Sequence, residues 1–425
     1  MFAKGEAQYQ IDGVTFMHHI AVWMMSCYLL ADVISGFFVI QFGIDLKVSL
    51  VYKIPLFMIV FSLIMRLSLK SFFWLLLCIW ILLLPPALQL FKKTDISFFI
   101  SDFAYIIKIM MPLVIFIYFG LLKQSAPNFA EKWIKRALII NFSILALNLL
   151  LGAAGFGRSS YELRDGETAG ANGFIYAANE LGAAFIVLFS FALHWVWNKK
   201  RVYYFFFSLI TLAAGVTVAT KTAMLAAFLL VFLMPIVNER ERFFKLTMLK
   251  VKMFTPAIIL LVILIISIID FITALGLYDK IMWVFQQQGV LGIIWSGRDL
   301  YAKDLMDIYF NHSVLWQQIL GQGSGGVAEF LPRKYSAEVD AVDALVWFGF
   351  PGLLICLTIH SSFITYSYRL FRNNLALYSP CVFLSCILLL FLSQFSGHVW
   401  MSGTLGISLG LLTSLLWFDS SQESK

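Results

Sequence analysis

Apolar blocks of roughly 20 residues recur along most of this chain, and they constrain its fold more than any other feature. A helix of roughly 20 residues spans the ~30 Å hydrocarbon layer of a membrane. The blocks are continuous and do not alternate with period two, so they predict helices and not the strands of a membrane β-barrel. Hydrophobic residues make up 61% of the sequence and charged residues only 13%. The chain is therefore expected to be an all-α polytopic integral membrane bundle and not a soluble enzyme.

The blocks predict about twelve transmembrane helices in a single membrane domain of residues 1–425. The long hydrophilic segment 279–342 separates the ninth and tenth helices and is expected to be an extracytoplasmic loop. Lys and Arg are more numerous in the connections on the side of the two termini, which predicts cytoplasmic N- and C-termini. The predicted spans are residues 16–40, 50–66, 71–90, 98–122, 134–153, 173–195, 202–219, 222–237, 254–278, 343–366, 377–394 and 399–418.

Several classes of function are disfavoured by the distribution of charge and of metal-ligating residues. The net charge of +7 does not indicate a nucleic-acid-binding protein, because the basic residues are spread over short loops and form no stripe. The five cysteines lie in apolar runs and form no CxxC pair, and neither an HExxH motif nor a Cys/His cluster occurs. The sequence thus gives no support for a bound metal.

Charged residues cluster in the predicted outside loop. Arg298 and Arg333 lie within it, and Glu338, Asp340 and Asp343 lie where the chain re-enters the membrane. Arginine binds phosphate oxygens through two parallel hydrogen bonds, and a carboxylate can accept the proton of a hydroxyl nucleophile. This combination suits transfer of a group away from a phosphate leaving group. A solvated loop carries similar charges, so spacing alone leaves both interpretations open.

The same loop contains patterns typical of short helices. Residues 298–310 predict an amphipathic helix, and SVLWQQIL predicts a second, followed by a flexible break at GQGSGG, residues 321–326. Such a loop can lie on the membrane surface and cover a cavity as a lid. The apolar face of the first helix is expected to hold Leu300, Tyr301, Leu305, Ile308 and Tyr309.

Two further cations lie at the predicted outside end of the bundle. Lys221 begins a helix in VATKTAML, and Arg158 lies in the first outside loop, about residues 154–172. Each is placed to face an anionic substrate beside Arg298. Each also suits a cation that simply extends its charged end to the membrane interface.

Polar residues also occur inside the predicted spans, where they are costly and should face protein or water. Asn179 and Glu180 lie early in the sixth span, which indicates either substrate binding or a hydrogen bond between helices. Asp32, Asp102 and Lys108 lie in or near other spans without regular spacing. Hydrogen bonding between helices is the favoured interpretation for these three.

Five motifs follow one another between residues 173 and 355 of the chain. They are GFIYAANELG (173–182), ATKTAML (219–225), SGRDLYAKDLMDIY (296–309), LGQGSGG (320–326) and AEVDAVDALVWFGFPGLLI (337–355). Their order resembles that of the bacterial O-antigen polymerases (Wzy-type) and O-antigen ligases. The resemblance covers roughly residues 150–360.

The resemblance implies a metal-independent glycosyltransferase without a cofactor. Such an enzyme joins undecaprenyl-pyrophosphate-linked oligosaccharide repeat units at the outer face of the bacterial cytoplasmic (inner) membrane. Its product is an O-antigen, capsule or exopolysaccharide. The implied partners are the lipid-linked glycan, the lipid bilayer and a protein that sets chain length, with no nucleic acid.

The resemblance also implies roles for individual residues. Arg298 matches the arginine of the family's GR motif and would bind pyrophosphate. Lys221 stands where the family often has arginine, and Arg333 and Arg158 are additional pyrophosphate candidates.

The acids Glu338, Asp340 and Asp343 stand where ligases typically carry a histidine, which favours a polymerase. One of the three acids would then orient or deprotonate the acceptor hydroxyl. Two alternatives stay open: an O-antigen ligase that transfers glycan to lipid A core, and a lipid-linked glycan flippase or transporter. A flippase would be expected to contain inverted repeats with broken helices, and no clear matched pair is visible.

Overall fold

The computed structural model describes residues 2–92, 95–162, 168–175, 178–274, 278–397 and 399–418 of the 425-residue chain. The described part is helical except for one antiparallel pair of two-residue strands, β1 (Tyr161–Glu162) and β2 (Thr168–Ala169), in the first outside loop. The helices are α1 (Phe2–Phe42), α2 (Val48–Leu67), α3 (Leu69–Phe91), α4 (Ile96–Ser125), α5 (Pro127–Ala153), α6 (Ala178–Lys199), α7 (Arg201–Val218), α8 (Lys221–Asn238), α9 (Met248–Ile266), α10 (Ile268–Ala274), α11 (Tyr278–Trp295), α12 (Arg298–Asp307), α13 (Leu315–Leu320), α14 (Gly323–Ala328), α15 (Asp340–Arg372), α16 (Ser379–Phe395) and α17 (Gly403–Ser414).

The described residues contain nine helices that are long and apolar enough to cross a membrane. These are α1 to α8 and α15, whereas the apolar segments 379–395 and 403–417 are shorter. The predicted span 254–278 falls on α9 and α10. The all-helical membrane fold predicted from the sequence is therefore confirmed, while the count of twelve spans and the single domain stay predictions.

Large apolar side chains cover the sides of the bundle. Phe73 and Trp74 on α3, Phe205 on α7 and Ile263 on α9 are each more than half exposed. Apolar patches of this extent are not stable in water, but they match the hydrocarbon of a bilayer. The exposed surface thus supports the membrane assignment independently of helix length.

The centre of the bundle is α17, and all of its side chains are buried. Small residues permit this burial, because a Cβ at Gly406 would lie 3.3 Å from the Cβ of Met111, and one at Gly410 only 2.8 Å from the Cβ of Ile115. Close approach of helices at small residues is the usual basis of packing in membranes. The hydroxyl of Ser402 accepts a hydrogen bond from the Leu405 amide (3.0 Å) and so fixes where α17 begins.

The segment 278–339 is largely helical, and part of it enters the bundle. The helix predicted at 298–310 is present as α12, which continues as one π-helical turn over Ile308–His312, and α13 corresponds to the second predicted helix. Of the residues expected on the apolar face of the first helix, Leu305, Ile308 and Tyr309 are buried, whereas Leu300 and Tyr301 are exposed.

The glycine-rich sequence 321–326 is not the flexible break that was predicted. Its residues are buried, and 323–328 form α14 against α3, α4 and α15. Glycine is read as a breaker when the chain faces water, but here it removes the side chains that would keep two backbones apart. A Cβ at Gly321 would overlap the Trp347 carbonyl oxygen, and one at Gly349 would overlap the Ile319 carbonyl oxygen. The two glycines therefore form a backbone crossing between the α13–α14 connection and a kink in α15.

Replacing Gly321 with alanine is expected to destabilise this crossing. Gly321 has φ +94° and backbone atoms of α15 where a Cβ would lie, whereas Gly43 has φ +68° and open space around it. Gly43→Ala should cost about 1 kcal/mol for the left-handed backbone alone. Gly321→Ala should cost about 1–3 kcal/mol more because of overpacking. Denaturation in detergent measures the difference, and equal losses in the two variants would disprove the crossing.

Candidate functional site

Arg298 lies at the start of α12, where two left-handed residues turn the chain. Ser296 has φ +57° and Gly297 has φ +80°, so the arginine side chain projects from a sharp corner. Its Nη2 and Nε donate to Oε2 of Glu338 at 2.8 and 3.1 Å, and Nη1 donates to the Phe395 carbonyl at 3.4 Å. The guanidinium is thus held in one orientation and is only 14% exposed.

Glu338 lies between two cations. Its second oxygen, Oε1, is 3.2 Å from Nζ of Lys334, and the Glu338 side chain is 24% exposed. The residue has φ +56°, and a Cβ at Gly397 would overlap its carbonyl oxygen. A non-glycine residue in this conformation stores strain that must be compensated by surrounding contacts, as often found at functional sites. The group of Arg298, Lys334 and Glu338 carries a net positive charge and is accessible to solvent, so it can bind an anion.

Asp343 is buried and binds the turn that carries Glu338. Its Oδ1 accepts the Ala337 amide at 2.8 Å, and its Oδ2 accepts the Ser336 hydroxyl at 2.8 Å and the Glu338 amide at 3.1 Å. These bonds explain how a left-handed Glu338 is maintained. Asp343 is only 3% exposed, and its carboxylate faces the backbone amides of Ala337 and Glu338.

Asp340 has a similar place on the other side of the turn. Its Oδ2 accepts the amides of Val399 at 2.9 Å and Trp400 at 3.2 Å, which lie in the connection between α16 and α17. Asp340 and Asp343 thus organise the backbone around Glu338. Among the three predicted acids, Glu338 is the one that directly contacts Arg298.

Removing the Asp343 carboxylate is expected to destabilise the protein. Hydrogen bonds to a charged group contribute about 1.5–3 kcal/mol each, and the buried amides would lose their acceptor, so Asp343→Ala should cost about 2–4 kcal/mol. Asp343→Asn keeps one acceptor oxygen and should cost less. Chemical unfolding in detergent micelles measures both variants. Unchanged stability of Asp343→Ala would contradict the anchoring role.

Lys221 reaches the corner that precedes Arg298. Its Nζ donates to the Ser296 hydroxyl at 2.8 Å and to the Ile293 carbonyl. The side chain is exposed and begins α8, whose first turn is capped by the Thr220 hydroxyl accepting the Ala223 amide. Lys221 and Arg298 thus flank the same two-residue corner, Ser296–Gly297, and contact between Lys221 and an anionic substrate stays a prediction.

The first outside loop carries Tyr161 and the predicted cation Arg158. Burial raises the pKa of the Tyr161 hydroxyl, and the positive charge of Arg298 partly offsets this shift. Arg158 pairs through its backbone with Gly173 (2.8 Å) and Asn172 (2.9 Å), which fixes the base of this loop.

The other site residues proposed from the sequence, Arg333, Asn179 and Glu180, differ in where they lie. Arg333 is exposed, and within the described residues it takes part in no ion pair. The side chain of Asn179 lies outside the described part. Glu180 is described and belongs to a second polar group, in a cavity of about 620 Å³ between α1, α2, α4, α6 and α17.

This second group contains a buried ion pair that sequence reasoning missed. Nζ of Lys53 lies 2.6 Å from Oδ1 of Asp32, and the Thr404 hydroxyl donates to Oδ2 of Asp32 at 2.8 Å. Glu180 accepts the Ser402 hydroxyl at 2.8 Å and the Thr404 amide at 3.1 Å. The sequence signals were Asp32, for which a hydrogen bond between helices was expected, and a lysine inside the apolar run VYKIPLF of the predicted span 50–66.

The connection between α16 and α17 links the two groups. At one end Gly397 packs on Glu338, and at the other Thr404 contacts Glu180 and Asp32. Gly397 and Thr404 are seven peptide steps apart, so their Cα atoms are at most about 25 Å apart. Arg298 and Glu338 contact the end of α16 and Gly397, and the cavity is lined by Gly403 and Thr404 where α17 begins. The Arg298–Glu338 pair and the cavity thus lie at the end of the bundle that this connection covers.

Comparison with family models, with curated proteins and with solved structures yields no match for this chain. The geometry of these two groups of residues and the membrane character of the fold are therefore the basis on which its function is proposed below.

Proposed function

We propose that this chain is a polysaccharide polymerase of the bacterial cytoplasmic membrane, a metal-independent glycosyltransferase that joins undecaprenyl-pyrophosphate-linked repeat units at the outer face. One observation supports this proposal most: Arg298 is held against Glu338 at one end of a membrane bundle, with Lys334 and Lys221 beside them. A diphosphate needs fixed positive charge, and a hydroxyl nucleophile needs a nearby proton acceptor. Both requirements are met within a single ion-pair cluster.

The proposed chemistry is a single displacement. The oxygen of an acceptor hydroxyl attacks the anomeric carbon of the donor sugar and forms the new glycosidic bond. The bond from that carbon to the phosphate oxygen breaks, and its electron pair leaves with undecaprenyl pyrophosphate. The hydroxyl proton passes to Glu338. Such a displacement inverts the anomeric configuration.

Arg298 and Glu338 have complementary roles in this scheme. A pyrophosphate and the Glu338 carboxylate compete for the same guanidinium, whose Nε and Nη2 both point to Oε2. Binding of pyrophosphate to Arg298 releases Glu338 to receive the hydroxyl proton. Lys334, Lys221 and the exposed Arg333 add positive charge around the leaving group, and Arg158 belongs to the loop beside it.

Asp340 and Asp343 are assigned to positioning in the proposed scheme. Their oxygens accept backbone amides on both sides of Glu338. Preorganisation of this kind fixes a reacting group without reorganisation during the reaction. The lipid tail of the substrate explains why the site lies at the end of a membrane bundle.

A deletion strain separates this proposal from its alternatives. Loss of a polymerase leaves a single repeat unit on the final acceptor, and loss of a ligase leaves long glycans on the undecaprenyl carrier. Loss of a flippase leaves lipid-linked repeat units on the cytoplasmic side. Glycan gels and carrier-lipid extraction distinguish the three. Either of the last two patterns would overturn the polymerase.

A further inference from the structure

The cavity between α1, α2, α4, α6 and α17 is separate from the Arg298–Glu338 pair, and the proposed chemistry does not use it. Its volume of about 620 Å³ falls within the ~300–1,000 Å³ typical of ligand sites. Exposed residues Asp45 and Lys47 form its mouth, and Ile107 and Met111 lie deeper, on α4. The cavity therefore opens beside the α1–α2 connection, at the end of the bundle where α17 begins and where Arg298 and Glu338 also lie.

The charges that line this cavity are balanced. Lys53 is paired with Asp32 at 2.6 Å, and Lys47 and Asp45 adjoin at the mouth, where the Lys47 amide donates to the Asp45 carboxylate at 3.1 Å. The remaining lysine, Lys108, packs beside Gly403 and lines the cavity together with the remaining acid, Glu180. A site with this balance has no excess positive charge to attract a diphosphate.

Hydroxyl groups add to this lining. Ser35, Ser97 and Ser101 contribute side chains from α1 and α4, while Ser49 and Thr404 already donate to Asp32. Paired charges and hydroxyls offer both donors and acceptors at short range. The aliphatic residues between them, such as Ile54 and Ile107, match the apolar C–H faces of a sugar ring.

We infer that this cavity binds the saccharide part of the glycan substrate, as a hydroxyl-rich and uncharged or charge-balanced ligand. The inference rests on the proposed function and adds a sugar-binding subsite to it. The α16–α17 connection ties the subsite to the reacting centre, since it contacts Glu338 through Gly397 and Glu180 through Thr404. Occupation of the cavity by sugar would therefore hold the glycan within about 25 Å of the pyrophosphate site.

The test uses the full-length protein in nanodiscs and a probe without pyrophosphate. The probe is the repeat-unit oligosaccharide released by mild acid from the lipid-linked glycan of the same strain. Saturation-transfer NMR titration is expected to show binding to the wild type. Ser101→Trp on α4 and Ser35→Trp on α1, which each place a large side chain in the cavity lining, should each weaken binding by about tenfold or more, equivalent to about 1.4 kcal/mol.

Ser62→Trp is the matched control, because Ser62 lies on α2 but is exposed on the outer side of the bundle. It should bind like the wild type, and size-exclusion profiles verify that all three variants are folded. Equal affinity in the wild type and both cavity variants would overturn the inference, as would absence of probe binding to the wild type. Arg298→Ala should keep probe binding while losing polymerisation, so failure of the polymerase proposal and failure of the sugar subsite give different results.

Discussion

Replacing Arg298 with alanine is expected to slow glycan chain lengthening by about 10²–10³-fold, the usual effect of removing one preorganised donor to a developing negative charge. The arginine is oriented by Glu338 and by the Phe395 carbonyl, so its donors require no rearrangement beyond exchange of one anion for another. The rate is measured as polymer formed from a purified lipid-linked repeat unit by the reconstituted protein.

Two variants serve as controls for this result. Arg298→Lys keeps the charge but loses the two-point fork, so an intermediate loss is expected. Arg333→Ala removes an exposed cation of the same segment and should change the rate by less than about tenfold, since exposed charges are screened. Wild-type polymer lengths from Arg298→Ala would remove the basis of the proposal.

The second large effect is expected for Glu338→Gln, which preserves side-chain shape but cannot accept the hydroxyl proton. Loss of a positioned general base reduces rates by about 10²–10⁴-fold. Chain lengthening at saturating substrate is the appropriate measurement, because binding of the repeat unit should be less affected than its conversion. The neighbouring Lys334 and Arg298 remain available to the pyrophosphate.

Asp340→Asn provides the comparison for Glu338→Gln. Asp340 accepts two backbone amides through a single oxygen, and asparagine retains one such acceptor. Its rate should therefore fall less than that of Glu338→Gln, with a loss of stability that denaturation detects. If Asp340→Asn abolished lengthening in a fully stable protein while Glu338→Gln was active, the assignment of the base would be wrong.

The helical scaffold could be predicted from the sequence because the membrane imposes a simple rule. Backbone groups in hydrocarbon must be satisfied within the segment, so each apolar block of sufficient length forms a helix. The predicted spans 50–66 and 202–219 accordingly differ from α2 and α7 by only one or two residues at each end. Hydropathy does not report on short buried pieces, however, and the glycine-rich 321–326 was misread because its burial depends on the kink at Gly349.

The candidate site could be predicted from the sequence only in part. The sequence showed that Arg298 and the acids Glu338, Asp340 and Asp343 lie in one loop or where it re-enters the membrane. In the structure an ion pair between Arg298 and Glu338 joins the start of α12 to the turn before α15. Which acid contacts the arginine was not visible, since this depends on the left-handed backbone of Glu338 and on the amides that occupy Asp340 and Asp343.

The pairing of Asp32 with Lys53 could not be predicted from the sequence either. The two residues lie on different helices, and their neighbour Thr404 lies on a third, far along the chain. No periodicity relates the three positions, because they are brought together by the central placement of α17. Polar residues in spans thus indicate that a partner exists without identifying it.

The most direct measurement of the central claim uses the purified wild-type protein, reconstituted in vesicles with lipid-linked repeat unit, a metal chelator and no nucleotide sugar. We expect a ladder of longer glycans and one undecaprenyl pyrophosphate released for each new glycosidic bond. Repeat units that stay single, or that only cross the bilayer, in the presence of folded protein would contradict it.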